Sequence, residues 1–341
     1  MADNTSMNYS HILGMNKTEL PQIPLLGMKD LNLTISSSIW KSMDLSISVV
    51  FGLFELILMI VIIVGNGMVI LTAAKVNSIQ KIASRLLVSL AMADLIIGGI
   101  MIPIHALSYI VPGYSKSKYL CIVTHCIITF AVGSSTLNLF AIAIERFVLI
   151  NFPRHYHKLR KRNITHWVLL FVWIYSFVGG FLPLFGWNNW DDQRPPIFCS
   201  YQTVIARIHF YIVFSNMIFC YVMMTILYVQ MFWSIKRRYR RTTPQPHNRS
   251  HRLSCISNIR RETKTTKLLA VVLCIFLLCW TPYLICASTS YFVHGKKYFK
   301  FSSRLFAVMG ILNSAVNPFI YAWKSKEFKK RMMDLFCKTK S

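Results

Sequence analysis

A bundle of seven membrane-spanning helices, followed by a short amphipathic helix near the C-terminus, is the all-α fold class that this sequence predicts. Three observations carry it. The 341 residues are 54% apolar and include 12 Asp and Glu, with a mean hydropathy of +0.46, a profile outside that of soluble domains. Seven stretches reach the roughly 20 apolar residues that a bilayer requires. The 38 Lys and Arg are spread unevenly between alternate loops.

The stretches are 49–74, 84–111, 119–150, 165–186, 206–236, 264–292 and 301–323. Backbone polar groups inside lipid must be satisfied within each stretch, so each is expected to be a helix. The first carries Glu55 and Asn66, the second Asp94, and the third runs from Cys121 to Arg146 and beyond. The fourth holds Trp173, and the fifth has no proline between His209 and Trp233. The sixth and seventh contain Pro282 and Pro318, each removing a backbone hydrogen bond and favouring a kink.

Of the Lys and Arg, 27 fall in or beside the loops after the first, third and fifth stretches and in the tail, against 11 elsewhere. The positive-inside rule then places the N-terminus outside and, after seven crossings, the C-terminus in the cytoplasm of a plasma-membrane protein. The net charge of +26 reads as an orienting signal that meets anionic lipid, not as a nucleic-acid surface. Sequons at Asn4, Asn8, Asn16 and Asn32 agree, because glycosylation needs the outer side. The chain divides into a polar, glycosylated extracellular segment, 1–45, a membrane domain, 46–324, that includes the Arg-rich inner loop 237–261, and an amphipathic helix with tail, 325–341.

Ionised groups at membrane depth are costly and mark function. Arg146, between Glu145 and Phe147, stands at the inner end of the third stretch, and Glu262 opens the sixth, 18 residues before Trp280. These charges read as a latch between two helices. Cys121 and Cys199 fall where oxidising conditions allow a bridge. Cys126, Cys220, Cys274, Cys279 and Cys286 are expected to pack as small apolar residues. Cys337 follows the amphipathic run from Phe328 to Phe336, a setting for a lipid anchor.

Several local patterns resemble those of rhodopsin-like (class A) G protein-coupled receptors. They are Gly65-Asn66, Leu90 to Asp94, Glu145-Arg146-Phe147, Trp173, Cys279 to Tyr283, and Asn317-Pro318-Phe319-Ile320-Tyr321. Within that family, Phe185 to Asn189, Ala141 to Arg146, Ser89 to Asp94, and Glu55 eleven residues before Asn66 are similar to adenosine receptors. The resemblance implies no enzyme activity and no cofactor beyond a sodium ion. It implies an extracellular small-molecule ligand, purine or anionic, and a heterotrimeric G protein as partner. The sodium ion would be held by Asp94 and Ser135, with Asn313 and Asn317 beside it. The residues also allow an Asp94 that is protonated or linked through water to Asn66 and Asn317.

The resemblance further implies a pocket lined by Glu55, Ile128, Tyr201, Trp280, Leu284, Ala287 and Ile311. Ala287 and Ile311 stand where adenosine receptors carry an Asn and a His that hold the ligand. An unpaired polar ligand group there costs roughly 1–3 kcal/mol. Tyr201 matches a ring-stacking aromatic. Ile128 replaces the Asp of amine receptors, and helix seven has no Lys for a retinal Schiff base. Lys116, Lys118, Arg194, Lys296, Lys297, Lys300 and Arg304 give a basic mouth that either draws an anionic ligand or is simply solvated.

Glu55 and His105 each lie eleven residues outward of a central polar residue, so both sit roughly 16 Å above it. His105 is therefore expected to pair with Glu55 in place of the missing helix-seven histidine, or else to face water at the pocket mouth. Outward swing of the inner half of helix six, hinged at Pro282, would separate Glu262 from Arg146 and free Arg146, Tyr228 and Tyr321 for a G-protein helix, with Pro318 a second hinge in helix seven. Cys220 occupies the usual position of a helix-five proline, so the bulge that proline brings is expected to be missing. Melanocortin and some lipid receptors share that lack, which leaves a receptor of the same fold for a lipid, nucleotide or melanocortin-like peptide as the alternative. A transporter or channel would need a continuous polar path with several intramembrane charges.

Overall fold

Long aliphatic runs close their own backbone hydrogen bonds, and the computed structural model of the chain is helical at each expected span. It describes residues 25–74, 81–110, 113–114, 117–161, 164–193, 199–242, 249–290 and 296–324, with side chains at several helix ends outside the description. The helices are α1 (Leu25–Ala74), α2 (Lys81–Ile96), α3 (Ile102–Ile110), α4 (Lys118–Asn151), α5 (Pro153–Lys161), α6 (Ile164–Phe181), α7 (Tyr201–Val204), α8 (Arg207–Thr242), α9 (Arg249–Ser290) and α10 (Lys296–Lys324). Among the described residues, six helices are long and apolar enough to cross a membrane, and the apolar part of α10, Leu305–Ile320, is a shorter seventh. Large apolar side chains turned outward, among them Phe171 at 61%, Phe219 at 56% and Leu278 at 69% exposure, fit a lipid solvent and no aqueous one.

Met1–Val50 and Phe51–Ser341 are separate units. In the first, helix begins at Leu25, inside the segment read from sequence as polar; no proline interrupts Leu25–Ala74, and helix there needs no core of its own. The loop expected over 237–261 is also shortened, because α8 runs on to Thr242 and α9 starts at Arg249. Arg and Lys are good helix formers, so a run of like charge need not end a helix.

A π-helical turn, Ile97–Met101, joins α2 to α3, and the Ile102 N–H donates to the Ile97 carbonyl. Pro103, which has no N–H, follows directly, and the wider turn absorbs the interruption. Helix α8 shows the opposite: with Cys220 buried in place of a proline, it continues as α-helix through that position, as expected.

Helix α4 is the centre of the bundle, packed against α2, α6 and α8. Its buried side includes Ser134, Ser135, Thr136 and Asn138; Ser134, Thr136 and Asn138 return hydrogen bonds to carbonyls one turn back, which places both hydroxyl hydrogens and the Asn138 amide nitrogen without water. Trp173 on α6 donates its indole N–H to Ser89 on α2 at 3.0 Å. Glycines set helix spacing: a Cβ would lie 2.8 Å from Pro318 on Gly65, from Ile62 on Gly98, from Phe130 on Gly180 and from the Trp280 ring on Gly310. Of the cysteines expected to be packed, Cys126, Cys220 and Cys286 are buried and Cys279 is partly so, whereas Cys274 is exposed. A thiol is apolar enough to face lipid, so burial is not required of it.

Candidate functional site

The disulfide end of the bundle is built first by Cys121 and Cys199, bonded with Cα atoms 5.7 Å apart. The bridge ties the segment ahead of α7 to the start of α4. His125 approaches the Cys199 sulfur at 3.7 Å; this trio has metal-ligand spacing, but sulfurs bonded to each other offer no thiolate.

Two residues on, Tyr201 lies edge-on to His125, with ring centroids 5.6 Å apart. Its hydroxyl is 2.9 Å from His209 Nδ1, and His209 Nε2 is 2.8 Å from the Gly179 carbonyl. A carbonyl only accepts, so Nε2 carries the hydrogen and the neutral ring takes the Tyr201 O–H at Nδ1. The loop aromatic is thereby clasped to α8 and, through His209, to α6. Sequence reasoning missed His209 and His125, since a histidine at a helix end carries no pattern signal.

On the opposite wall, His105 Nδ1 lies 3.1 and 3.0 Å from the two carboxylate oxygens of Glu55. Glu55 is 1% exposed and the His105 side chain 24%, so the carboxylate is sealed behind the imidazole. Of the residues expected to line a pocket, Ile128 and Leu284 pack on the core, Ala287 is buried, and Ile311 is buried in a cluster with Leu58, Ile62 and Val308. Lys118 is engaged by Asp192 at 3.1 Å. The rest of the basic mouth, Lys116, Arg194, Lys296, Lys297, Lys300 and Arg304, lies outside the described residues or side chains.

In the middle of the bundle, Asn317 donates to Asp94 Oδ2 at 2.9 Å. Asn66 does not complete that triangle as expected; its amide goes to the Ile62 and Ser314 carbonyls, both at 3.1 Å. Backbone acceptors lie nearer because Gly65 lets α1 and α10 close together. Asp94 Oδ1, Ser135 Oγ, Asn313 Oδ1 and Asn317 Oδ1 are buried without a hydrogen-bond partner. Above them Trp280 stands edge-on to Tyr283, centroids 6.0 Å apart, and its ring presses on Gly310.

At the Arg146 end, Arg146 Nε lies 3.0 Å from Glu145 Oε2, and Tyr156 on α5 donates to Glu145 Oε1 at 2.7 Å. Tyr156 was not foreseen, because only the turn at Phe152 brings it back over α4. Arg238 on α8 donates to the Ile150 carbonyl, near the negative end of α4. Tyr228 is buried, and Phe147 stacks edge-on with Phe152 at 6.1 Å. The side chains of Asn32, Glu262 and Tyr321, together with Cys337 and the sequons at Asn4, Asn8 and Asn16, lie outside the description. So does the amphipathic helix expected over Phe328 to Phe336.

The family model "7 transmembrane receptor (rhodopsin family)" matches residues 65–321. The "Adenosine receptor A2a" of Equus caballus is 29% identical over 303 residues, 83% of this chain and 71% of its own. The "Adenosine receptor A2b" of Homo sapiens is 27% identical over 296 residues, 81% and 86% of the two chains. The "Adenosine receptor A3" of Ovis aries is 29% identical over 294 residues, 83% and 88%. With buried polar side chains joining α2 to α10 in mid-bundle and a charged cluster at one end, the chain belongs to the rhodopsin family of seven-transmembrane receptors, which are signalling proteins and not enzymes.

Proposed function

We propose that this receptor is of the adenosine-receptor type, with an altered ligand pocket. It sits in the plasma membrane with the disulfide end outside, takes an extracellular small-molecule ligand, and activates heterotrimeric G proteins through the Arg146 end. The observation that carries the reading is the Glu145, Arg146 and Tyr156 cluster, a half-buried guanidinium held by a carboxylate that a second helix also grips. Such a group is poised to be released to a partner. The distribution of basic residues supports the orientation; glycosylation of the N-terminal sequons and acylation of Cys337 fit that placement.

Ligand binding at the disulfide end acts by differential affinity for two states. Ala287 and Ile311 offer no hydrogen bonds, so affinity for adenosine itself is expected to be weak. The test is a screen of adenosine, other purines, fatty acids and melanocortin-like peptides in cells expressing the chain, read by cAMP and calcium. Silence to every purine, with a response to a fatty acid or peptide, would replace the adenosine-type reading with the alternative.

The unpartnered oxygens of Asp94, Ser135, Asn313 and Asn317 are the donor set that a small hard cation takes. Sodium bound there supplies positive charge beside Asp94. Sodium should lower agonist affinity several-fold, and Asp94→Asn should remove that sensitivity; equal affinity with and without sodium in the unmodified receptor counts against the ion. The latch between Glu262 and Arg146 is proposed on the same footing. Glu262→Ala should raise ligand-free signalling, and unaltered basal cAMP argues against it.

A further inference from the structure

Helices α6 and α8 both pack on α4, and on their lipid side a hydrogen bond joins them: Asn216 Nδ2 donates to the Tyr175 hydroxyl at 2.8 Å. Tyr175 is 43% exposed, Asn216 is partly so, and Ser215 beside it is exposed. Polar side chains of a membrane span ordinarily turn to the bundle interior, where other protein groups meet them; these three reach hydrocarbon. Trp187 and Tyr211 are exposed aromatics toward the disulfide end, the kind that marks the headgroup boundary. Asn216 lies five residues past Tyr211, roughly 7 Å deeper along α8. The Tyr175 oxygen accepts from Asn216, so its own hydrogen is left to give to a partner outside the protein. One turn further from the disulfide end, the polar group gives way to rings. Phe171 stacks on Tyr175, centroids 5.5 Å apart, and Phe219, three residues past Asn216, meets Phe140 of α4 edge-on at 6.4 Å. The surface is therefore amphipathic along the membrane normal, with hydrogen-bonding groups above and exposed aromatic faces below.

We propose that this face, between α6 and α8, is a binding site for a membrane sterol. The sterol hydroxyl accepts from Tyr175 and donates to Ser215, and its ring system lies against Phe171, Phe219 and Phe140. The match is one of order and stiffness. A sterol of the outer leaflet carries one hydroxyl at its outer end and a flat apolar body that points to the midplane, and a rigid body loses little freedom when it is held. An acyl chain at that depth has no hydroxyl to offer. The site rests on the orientation proposed above, with the disulfide end outside, and not on the ligand or the G protein.

The full chain is placed in phosphatidylcholine nanodiscs with a trace of a cholesterol analogue that carries a photoreactive diazirine on its rings, and the labelled residues are mapped by mass spectrometry. Labelling should concentrate in residues 166–181 and 207–224, and excess cholesterol should compete it away. The epimer of cholesterol with its hydroxyl on the other face, which keeps the apolar body, should compete about tenfold less well. Tyr175→Phe with Ser215→Ala keeps the stacked ring and should lower labelling by about tenfold; its melting temperature shows that it is folded, and the epimer comparison on the unmodified chain decides if it is not. Labelling spread evenly over the lipid-facing surface, equal competition by the two epimers, or undiminished labelling of the folded double variant overturns the proposal. Ser215→Cys receptors that a bis-maleimide joins at that residue, with cholesterol present, give the face to a second copy of the chain and overturn it too. The orientation is checked separately by staining an N-terminal tag on intact cells; a tag reached only after permeabilisation overturns the orientation and, with the hydroxyl end then turned to the wrong leaflet, the sterol site as well.

Discussion

The two halves of the bundle hold their polar groups differently. In the middle, Asn317 meets Asp94 across α10 and α2. At the disulfide end, Ala287 and Ile311 are buried and apolar, yet the acid on α1 has a basic partner. His105 on α3 meets Glu55, while Ile311 on α10 joins an aliphatic cluster. The difference teaches that a buried carboxylate constrains its surroundings to supply a counter-group without fixing which helix supplies it. A pocket can therefore be rebuilt around an acid, whereas a switch that works by contacts between particular helices has less room to change.

The sharpest way to break this comparison is to remove the relocated partner. His105→Ala leaves Glu55, 1% exposed, without the imidazole that meets both its oxygens, and should cost about 3 kcal/mol, read as a fall in the melting temperature of the purified receptor. Adding Ile311→His should recover part of that loss if the position on α10 can still serve. An unchanged melting temperature in His105→Ala would mean that the pair is incidental.

A smaller effect is expected in the middle of the bundle. Gly310→Ala sets a methyl 2.8 Å from the Trp280 ring and should cost about 1–3 kcal/mol. Because Trp280 must move to admit it, tryptophan fluorescence should shift as well; stability lost with no spectral change would place the strain elsewhere. The smallest is Trp173→Phe, which removes one hydrogen bond to Ser89 and should lower stability by about 1 kcal/mol. A loss several times larger would show that the fourth span is held by its indole more than by its packing.

Much of the site was legible because membrane sequence is under-supplied with polar groups, so each one stands out. Asp94, Asn317 and Arg146 were visible for that reason, and helical rise alone put Glu55 and His105 at one depth. His209 and Tyr156 were not visible. Tyr156 is drawn in by the break at Phe152, and His209 gains its partner because the loop tied down by the disulfide carries Tyr201 over α8; such breaks reset the register from which spacing is counted. The alternative of an Asn66 joined to Asp94 rested on residue type; in the structure the Asn66 amide is taken by a carbonyl of α10.

The sequence by itself determined that the chain is helical and membrane-spanning, because hydrocarbon leaves the backbone no partner but itself and apolar length is read directly from residue order. It also determined which few ionisable groups lie at depth. Only the tertiary structure decided their partners: that Glu55 takes His105, that Arg146 takes Glu145, and that Tyr201 is pinned through His209 to a carbonyl on α6. Hydrogen bonds and ion pairs depend on ångström distances between helices, and those distances are set by how Trp280 and other side chains pack against positions such as Gly65 and Gly310 that carry none, which no spacing along one helix encodes.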